Sequence, residues 1–289
     1  MSTTGLALSS HAVDIDQSGI EAFHTRHPVK RGDHAFRWRA GLVLEVIVIL
    51  VLWEFLVTGL KVVPPAFLPP PSAISSSFVD LVSSASFLDH LQYSVTNLVV
   101  GVLIASIVGI SVGLVVGWSR FLEVTVAPLI WTIYSIPKVA LTPLIILGLG
   151  LGPQAVILLV FLMGVFPVVL NTIDGVQTVD PSLVRAGRVF GGRGISFGRK
   201  VVLPATLPFI LVGVRRAIAL GFVAVILGEF MGGSKGIGHL LQRATTQFRM
   251  DDALAIVVIM VIFANIGLIT LDVIRRRAAP WHNEGPVAA

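Results

Sequence analysis

DPSLVRAGRVFGGRGISFGRKVVLP, residues Asp180 to Pro204, is the longest polar and basic interruption between two strongly apolar blocks of the chain. It opens on a helix-start signal: Asp180 can cap, and Pro181 can take the first helical position. Leu183, Ala186, Gly187 and Phe190 then fall at i, i+3, i+4 and i+7, which predicts one face of a short helix. Arg185 and Arg188 fall off that face. Gly191 and Gly192 can end the helix, because glycine takes positive φ freely. Arg199 and Lys200 lie on a second short segment just before Leu203-Pro204 and the next apolar run. The stretch reads as a basic helix-turn-helix knob between two membrane spans. Such a knob suits docking to another protein at the membrane surface; an ordinary loop on the positively charged side has the same spacing.

The composition sets the solvent. Of 289 residues, 55% are hydrophobic and 13% charged, against about 25% charged in a soluble domain. Mean hydropathy is +0.90. The uninterrupted apolar runs are too long for barrel strands, so the expected fold is all-α: a polytopic membrane protein of about six transmembrane helices in contact with lipid. With no cysteine, disulfides, thiolate metal sites and cysteine nucleophiles are excluded. The net charge of +5 and pI of about 10.1 follow from a positive-inside bias, without a nucleic-acid partner.

Working outward, three segments are expected. Residues 1–39 form a polar tail, expected to be disordered, whose His11, His24, His27 and His34 have no trusted metal-ligand spacing. Residues 40–278 form the membrane domain, and residues 279–289 a second tail. The spans are predicted near 40–60, 91–118, 124–149, 154–173, 204–231 and 253–272. Glu45 and Glu54 lie in the first; Glu54, the deeper, is expected to pack toward another helix. Prolines stiffen residues 63–71, and an amphipathic helix is expected over Ser72 to His90. Gly101, Gly109, Gly113 and Gly117 place small residues on one face of the second span, which permits close approach by an unspecified helix. Residues 232–252 read as a second long loop.

The third span is interrupted by Ile136-Pro137-Lys138 and Thr142-Pro143. Prolines six apart prevent a regular hydrogen-bond ladder. Broken helices at membrane depth occur beside protein or a wet cavity, so Lys138 and Thr142 are candidates to line a translocation path. A plain kink with a lysine reaching for the interface is the alternative. Arg215 and Arg216 in the fifth span either line a path or pair with a carboxylate such as Glu54; Glu229 is a further path candidate.

With both termini on one side, the tails, the first inner turn and the knob hold fourteen Lys and Arg, while the outer loops hold only Lys61, Lys235, Arg243 and Arg249. The knob is therefore expected in the cytoplasm, with both termini. The chain has no GxxxxGK[ST] or HExxH motif, so no catalytic residue, metal or cofactor is expected in it.

The knob resembles the coupling loop of permease subunits of bacterial binding-protein-dependent ABC importers. That loop reads roughly E-A-A, three residues, G, and about a dozen residues later L-P. Ala186 matches its middle alanine, Gly191 its glycine, and Leu203-Pro204 its closing pair. IPKVALTPLIILGLGLG (136–152), FPVVLNTIDGV (166–176), GVRRAIALGFVAVILGEFMGGSKGIGHLL (213–241) and PPPSAI are similar to the nitrate, sulfonate and taurine permease group, which also includes transporters of thiamine-precursor pyrimidines. Three residues depart from the pattern: Arg185 stands in place of the usual Glu, Gly187 in place of Ala, and Asn97 in place of an Arg common in relatives.

The resemblance implies a type I importer core in the inner membrane, working by alternating access. Two cytoplasmic ATP-binding subunits would engage the 180–203 loop through Arg185, Ala186, Gly187, Phe190, Gly191, Leu203 and Pro204. A solute-binding protein would deliver solute on the other side, and a second permease copy would complete the pore. The path would involve Lys138, Thr142, Arg216 and Glu229. The implied solute is a small anion such as a sulfonate, taurine or nitrate, with a vitamin-precursor pyrimidine as the alternative. The competing classes are an ion-coupled secondary transporter using Glu54, Glu229 and Lys138, and a membrane scaffold without transport. No inverted repeat is visible to favour the former.

Overall fold

The computed structural model describes residues 31–64, 66–192 and 194–278. The tails expected over 1–39 and 279–289 lie outside them, apart from 31–39. Those nine residues begin α1 (Arg31–Glu54), so the helix starts before the predicted span; between Pro28 and Pro64 no proline interrupts it. Its apolar side chains from Leu42 to Leu52 are exposed, as a lipid-facing surface requires. The chain divides into two units, residues 1–52 and 53–289. The second carries the knob and most of the helices.

This unit contains α2 (Pro71–Ser83), α3 (Ala85–Trp118), α4 (Arg120–Tyr134), a 3-10 turn (Lys138–Leu141), α5 (Thr142–Leu149) and α6 (Pro153–Gln177). After these come α7 (Pro181–Val189), α8 (Gly194–Phe197), a π-turn (Gly198–Val202), α9 (Leu203–Gly232), α10 (Ile237–Thr246) and α11 (Met250–Ala278). Among the described residues of the whole chain, five helices are long and apolar enough to cross a membrane, or six when the bent pair α4 and 138–149 counts as one span. Proline stands in the first turn of α2, α5, α6 and α7. There its missing N–H would have been unpaired anyway and its fixed φ suits the first turn.

The core is built on α6. On one side α6 lies along α3 with residue i of α3 against residue i+59 of α6. A Cβ added at Gly101, Gly109, Gly113 or Gly117 would lie 2.5 to 2.9 Å from the side chain of Val160, Val168, Thr172 or Val176. Ala105 completes the row against Gly164, where an added Cβ would lie 3.3 Å from the Ala105 methyl. Residue numbers rise together on both helices, so they run parallel. Glycines strip side chain from one helix, and β-branched residues of the other fill the space, which brings the backbones together. On its other side α6 meets α9 antiparallel: Gly164 against Ala217, Val160 against Gly221, Gly175 against Thr206 and Phe209. Gly164 therefore sits where three helices converge, touching Ala105 and Ala217, both fully buried.

At the end of the bundle away from the knob, one carboxylate joins three elements. Glu229 of α9 is fully buried. Its Oε2 accepts from Ser94 Oγ of α3 at 2.7 Å and from the backbone N–H of Gly238 at 3.1 Å; its Oε1 accepts from Asn97 Nδ2 at 3.3 Å. Ser94 Oγ in turn accepts from Ile237 N at 2.8 Å, and His90 Nδ1 from Gly236 N at 3.0 Å. The otherwise unpaired N–H groups that start α10 are thus satisfied by side chains remote in sequence, and the carboxylate meets the positive end of that helix. Gly236 has φ of +113°, and a Cβ there would run into the Glu229 carboxylate.

Three expectations are corrected. Residues 72–90 do not form one surface helix. Ser84 is extended (ψ 135°), so α2 stops at Ser83 and residues 85–90 belong to α3. The second long loop contains the helix α10, packed on α11 through Ile237, Ala244 and Ile256. Arg215 pairs with Asp272 of α11 at 3.2 Å rather than with Glu54. The Glu54 carboxylate caps α2 instead, accepting from Ser72 N at 3.1 Å and Ser72 Oγ at 2.9 Å.

Two outcomes test this packing. Gly113→Ala places a methyl 2.5 Å from Thr172 Cβ and 2.8 Å from the Val169 carbonyl oxygen. It should destabilise the purified protein by about 1–3 kcal/mol. Gly148→Ala, with open space around its Cβ, should leave the melting temperature unchanged. Glu229→Ala orphans the donors on Ser94, Asn97 and Gly238, at about 1–3 kcal/mol each. Limited trypsin digestion should then cut at Arg243 faster than in the wild type.

Candidate coupling site

The knob folds as its local chemistry dictates. Asp180 caps α7: Ser182 N donates to its Oδ1 at 2.6 Å, and that bond holds the Asp180 carboxyl below the usual carboxylate range. The helix ends where Gly191 adopts φ of +80°, with Gly192 N donating to the Gly187 carbonyl at 2.9 Å and Gly191 N to Arg188 at 3.0 Å. Only glycine takes that backbone without strain.

The four residues read as one face divide between two. Gly187 turns inward: a Cβ there would lie 2.5 Å from the Phe197 ring. Leu183, Ala186 and Phe190 stay outside, joined by Val189. Phe190 is 90% and Val189 83% exposed. Arg185 is also exposed. The tip of α7 is thus apolar and uncovered, while its base is clamped. Glycine stands at 187 because the phenyl ring fills the place of a methyl.

The clamp continues inward. Phe197 is buried and meets Trp118 edge-to-face, with centroids 6.1 Å apart. Trp118 closes α3, and a Cβ added at Gly198 would lie 3.1 Å from its ring. From Gly194 the chain stays helical through α8, the π-turn and α9 to Gly232. Leu203 and Pro204 lie inside this run. The π-turn accommodates the proline's missing N–H, and Thr206 Oγ1 donates to the Val202 carbonyl at 2.8 Å. The knob therefore has two rigid attachments: one through aromatic rings to α3, one through continuous backbone to α9.

The path candidates are spread along the bundle. Lys138 sits at the 69° bend between α4 and the segment 138–149. Its Nζ donates to the Tyr134 carbonyl at 2.7 Å and lies over the Tyr134 and Phe166 rings at 4.8 and 4.7 Å. It thus caps the broken helix and adds a cation–π contact. Thr142 is buried, donating to the Val139 carbonyl at 2.7 Å. Arg216 is exposed on α9 and makes no ion pair among the described residues. Glu229 is enclosed in the node already described. The structure gathers the coupling candidates Arg185, Ala186, Gly187, Phe190 and Gly191 at α7, leaves Leu203 and Pro204 at the start of α9, and does not gather the four path candidates into one pocket. Sequence reasoning missed Phe197 and Trp118, whose only signal was an aromatic at the end of each neighbouring segment.

This architecture matches known proteins. The family model of the binding-protein-dependent transport system inner membrane component covers residues 101–282. A Bacillus subtilis (strain 168) protein named for aliphatic sulfonates transport, the permease SsuC, is 32% identical over 257 residues, spanning 88% of this chain and 91% of its own. The taurine transport system permease protein TauC of Escherichia coli (strain K12) is 29% identical over 260 residues, 86% of this chain and 94% of its own. The formylaminopyrimidine transport permease protein ThiX of Halalkalibacterium halodurans is 26% identical, 83% of this chain and 95% of its own. A solved chain of the MetNI methionine ABC transporter shares the fold with a TM-score of 0.59 at 18% identity, over 67% of this chain and 96% of that one. With the apolar spans, these matches establish that the chain belongs to the family of binding-protein-dependent transport system inner membrane components and is a multi-pass permease subunit of an ABC importer.

Proposed function

We propose that this permease imports a small organosulfonate anion and is driven by ATP-binding subunits that dock on the tip of α7. The observation that carries the reading is the tip itself. Phe190 and Val189 are almost wholly exposed on a helix whose other face is clamped through Phe197 to Trp118. An uncovered aromatic on a rigid mount is what a partner's pocket can hold and push.

In this reading the knob and both termini are cytoplasmic, as the excess of Lys and Arg on that side favours. ATP hydrolysis belongs to the docked subunits. Two permease copies form one pore with two such subunits, and a solute-binding protein delivers solute at the far end, near α10. Closure of the ATP-binding pair displaces α7, and the two attachments carry the displacement into α3 and α9. Ala186, Phe190 and Gly191 meet the partner directly. Gly187, Leu203 and Pro204 keep the mount stiff, and Arg185 sets its charge. Lys138 and Arg216 supply positive charge along the path, while buried Thr142 and Glu229 hold its walls.

The solute class rests on the relatives named for aliphatic sulfonates and taurine; ThiX, less similar, supports the pyrimidine alternative. Proteoliposomes holding the permease, its ATP-binding subunit and its binding protein should take up a short alkanesulfonate or taurine only when ATP is enclosed. Preference for a formylaminopyrimidine would move the assignment to that solute. Uptake driven by an ion gradient without ATP would overturn the importer mechanism.

Phe190→Asp leaves the fold intact, because the side chain is 90% exposed and packs on nothing among the described residues. It should cut uptake and solute-stimulated ATP hydrolysis at least about tenfold, equivalent to ~1.4 kcal/mol of docking free energy. Gly191→Asp, forced into positive φ, should do the same by misplacing the tip. Normal uptake by both variants would place docking elsewhere.

A further inference from the structure

Beside the knob's mount lies a cleft the coupling mechanism does not use. It has a volume of about 660 Å³ and runs between the α3–α4 corner and the π-turn that leads into α9. Leu114, Val115, Trp118, Leu122, Val202 and Leu203 form its apolar walls. Ser119 and Arg199 are the polar side chains among the residues that line it. Arg199 is exposed and, like neighbouring Lys200, forms no ion pair among the described residues. Across the corner, Arg120 is already engaged by Glu123 at 2.7 Å.

Continuity settles which medium the cleft opens to. Val115 on its wall is 60% exposed, and the next turns of α4 expose Phe121 and Val124. This is the apolar surface of two membrane-spanning segments, continuous with the cleft. Trp118 and Ser119 mark the end of the α3 span, the depth at which headgroups begin and where tryptophan concentrates. An occupant must therefore be apolar along most of its length and anionic at one end, and it must arrive from the bilayer.

We infer that this cleft binds one anionic phospholipid of the leaflet on the knob side, an acyl chain against Leu114, Leu122 and Leu203 and the phosphate on the Arg199 guanidinium. Phosphate geometry matches the planar fork of arginine, and the cleft volume lies within the ordinary range of ligand sites. Trp118 and Val202 also line the neighbouring cleft beneath α7, which Arg188 and Val184 border. The bound lipid thus wedges the joint through which the knob reaches α3, and lipid charge bears on coupling.

The test is native mass spectrometry of the purified permease, titrated separately with phosphatidylglycerol and phosphatidylcholine of the same chains. The wild type should retain one phosphatidylglycerol at least tenfold more tightly than phosphatidylcholine. Arg199→Gln should lose that preference, whereas Arg277→Gln on the C-terminal anchor should keep it. Leu122→Trp, which fills the cleft from its wall, should lose both lipids at this site. Equal retention of the two lipids, or an equal effect of both arginine substitutions, would reduce the binding to a nonspecific annulus and overturn the site. A cysteine introduced at Val115 that cross-links efficiently to a second copy of the chain would also overturn it. The chain has no native cysteine to confuse that result.

Discussion

Close approach of backbones along α6 is the constraint on which the rest of the bundle depends. In lipid, apolar side chains gain little by leaving their solvent, so helices associate mainly through van der Waals contact. Contact is greatest where one helix gives up its side chains and the other fills the gap. Gly101, Ala105, Gly109, Gly113 and Gly117 do this for α3, and Gly213, Ala217 and Gly221 for α9. The large residues on α6 are mostly valines and a threonine, whose stiff χ1 costs little to order. A core built this way tolerates no added methyl along the row, since every position is already at contact distance.

The polar groups then serve to close ends rather than to supply cohesion. Asp180 closes α7, Lys138 closes α4 at its bend, Glu54 closes α2, and Glu229 with Ser94 and His90 closes α10. Each supplies or accepts hydrogen bonds that a helix terminus lacks. Three of these four charged groups stand out in the sequence as candidates for other tasks: Glu54 for helix packing, Lys138 and Glu229 for a path. Capping and lining are compatible for Lys138, whose Nζ sits at an open bend, but the Glu229 carboxylate is spent wholly on its three donors.

Legibility in the sequence has a physical boundary. Span positions, the proline break after Ile136, the Asp180-Pro181 cap and the glycine end of α7 are all determined within a few residues, and each appears in the structure. Pairings between distant segments were not legible. Glu229 and Ser94 lie 135 positions apart, and nothing in their spacing announces the bond. Two signs were available: Ser94 and Asn97 at i, i+3 where the second span begins, and Gly236 and Gly238 on both sides of Ile237. Gly187 misleads for a related reason. Helical periodicity places it beside Phe190, but the ring that occupies its missing side chain belongs to Phe197, ten residues on.

The register between α3 and α6 limits how this pair can move. Its rungs repeat every four residues, a rise of about 6 Å. A slide smaller than that drives valine methyls into the peptide backbone between glycines, so no intermediate position offers a fit. Thermal motion cannot shear the two helices gradually, and a push at the Trp118 end is not absorbed by slippage along the row. It reaches Asn97 at the opposite end as displacement of a single stiff strut, and the hinges that let a pore open must lie at the borders of this strut rather than within it.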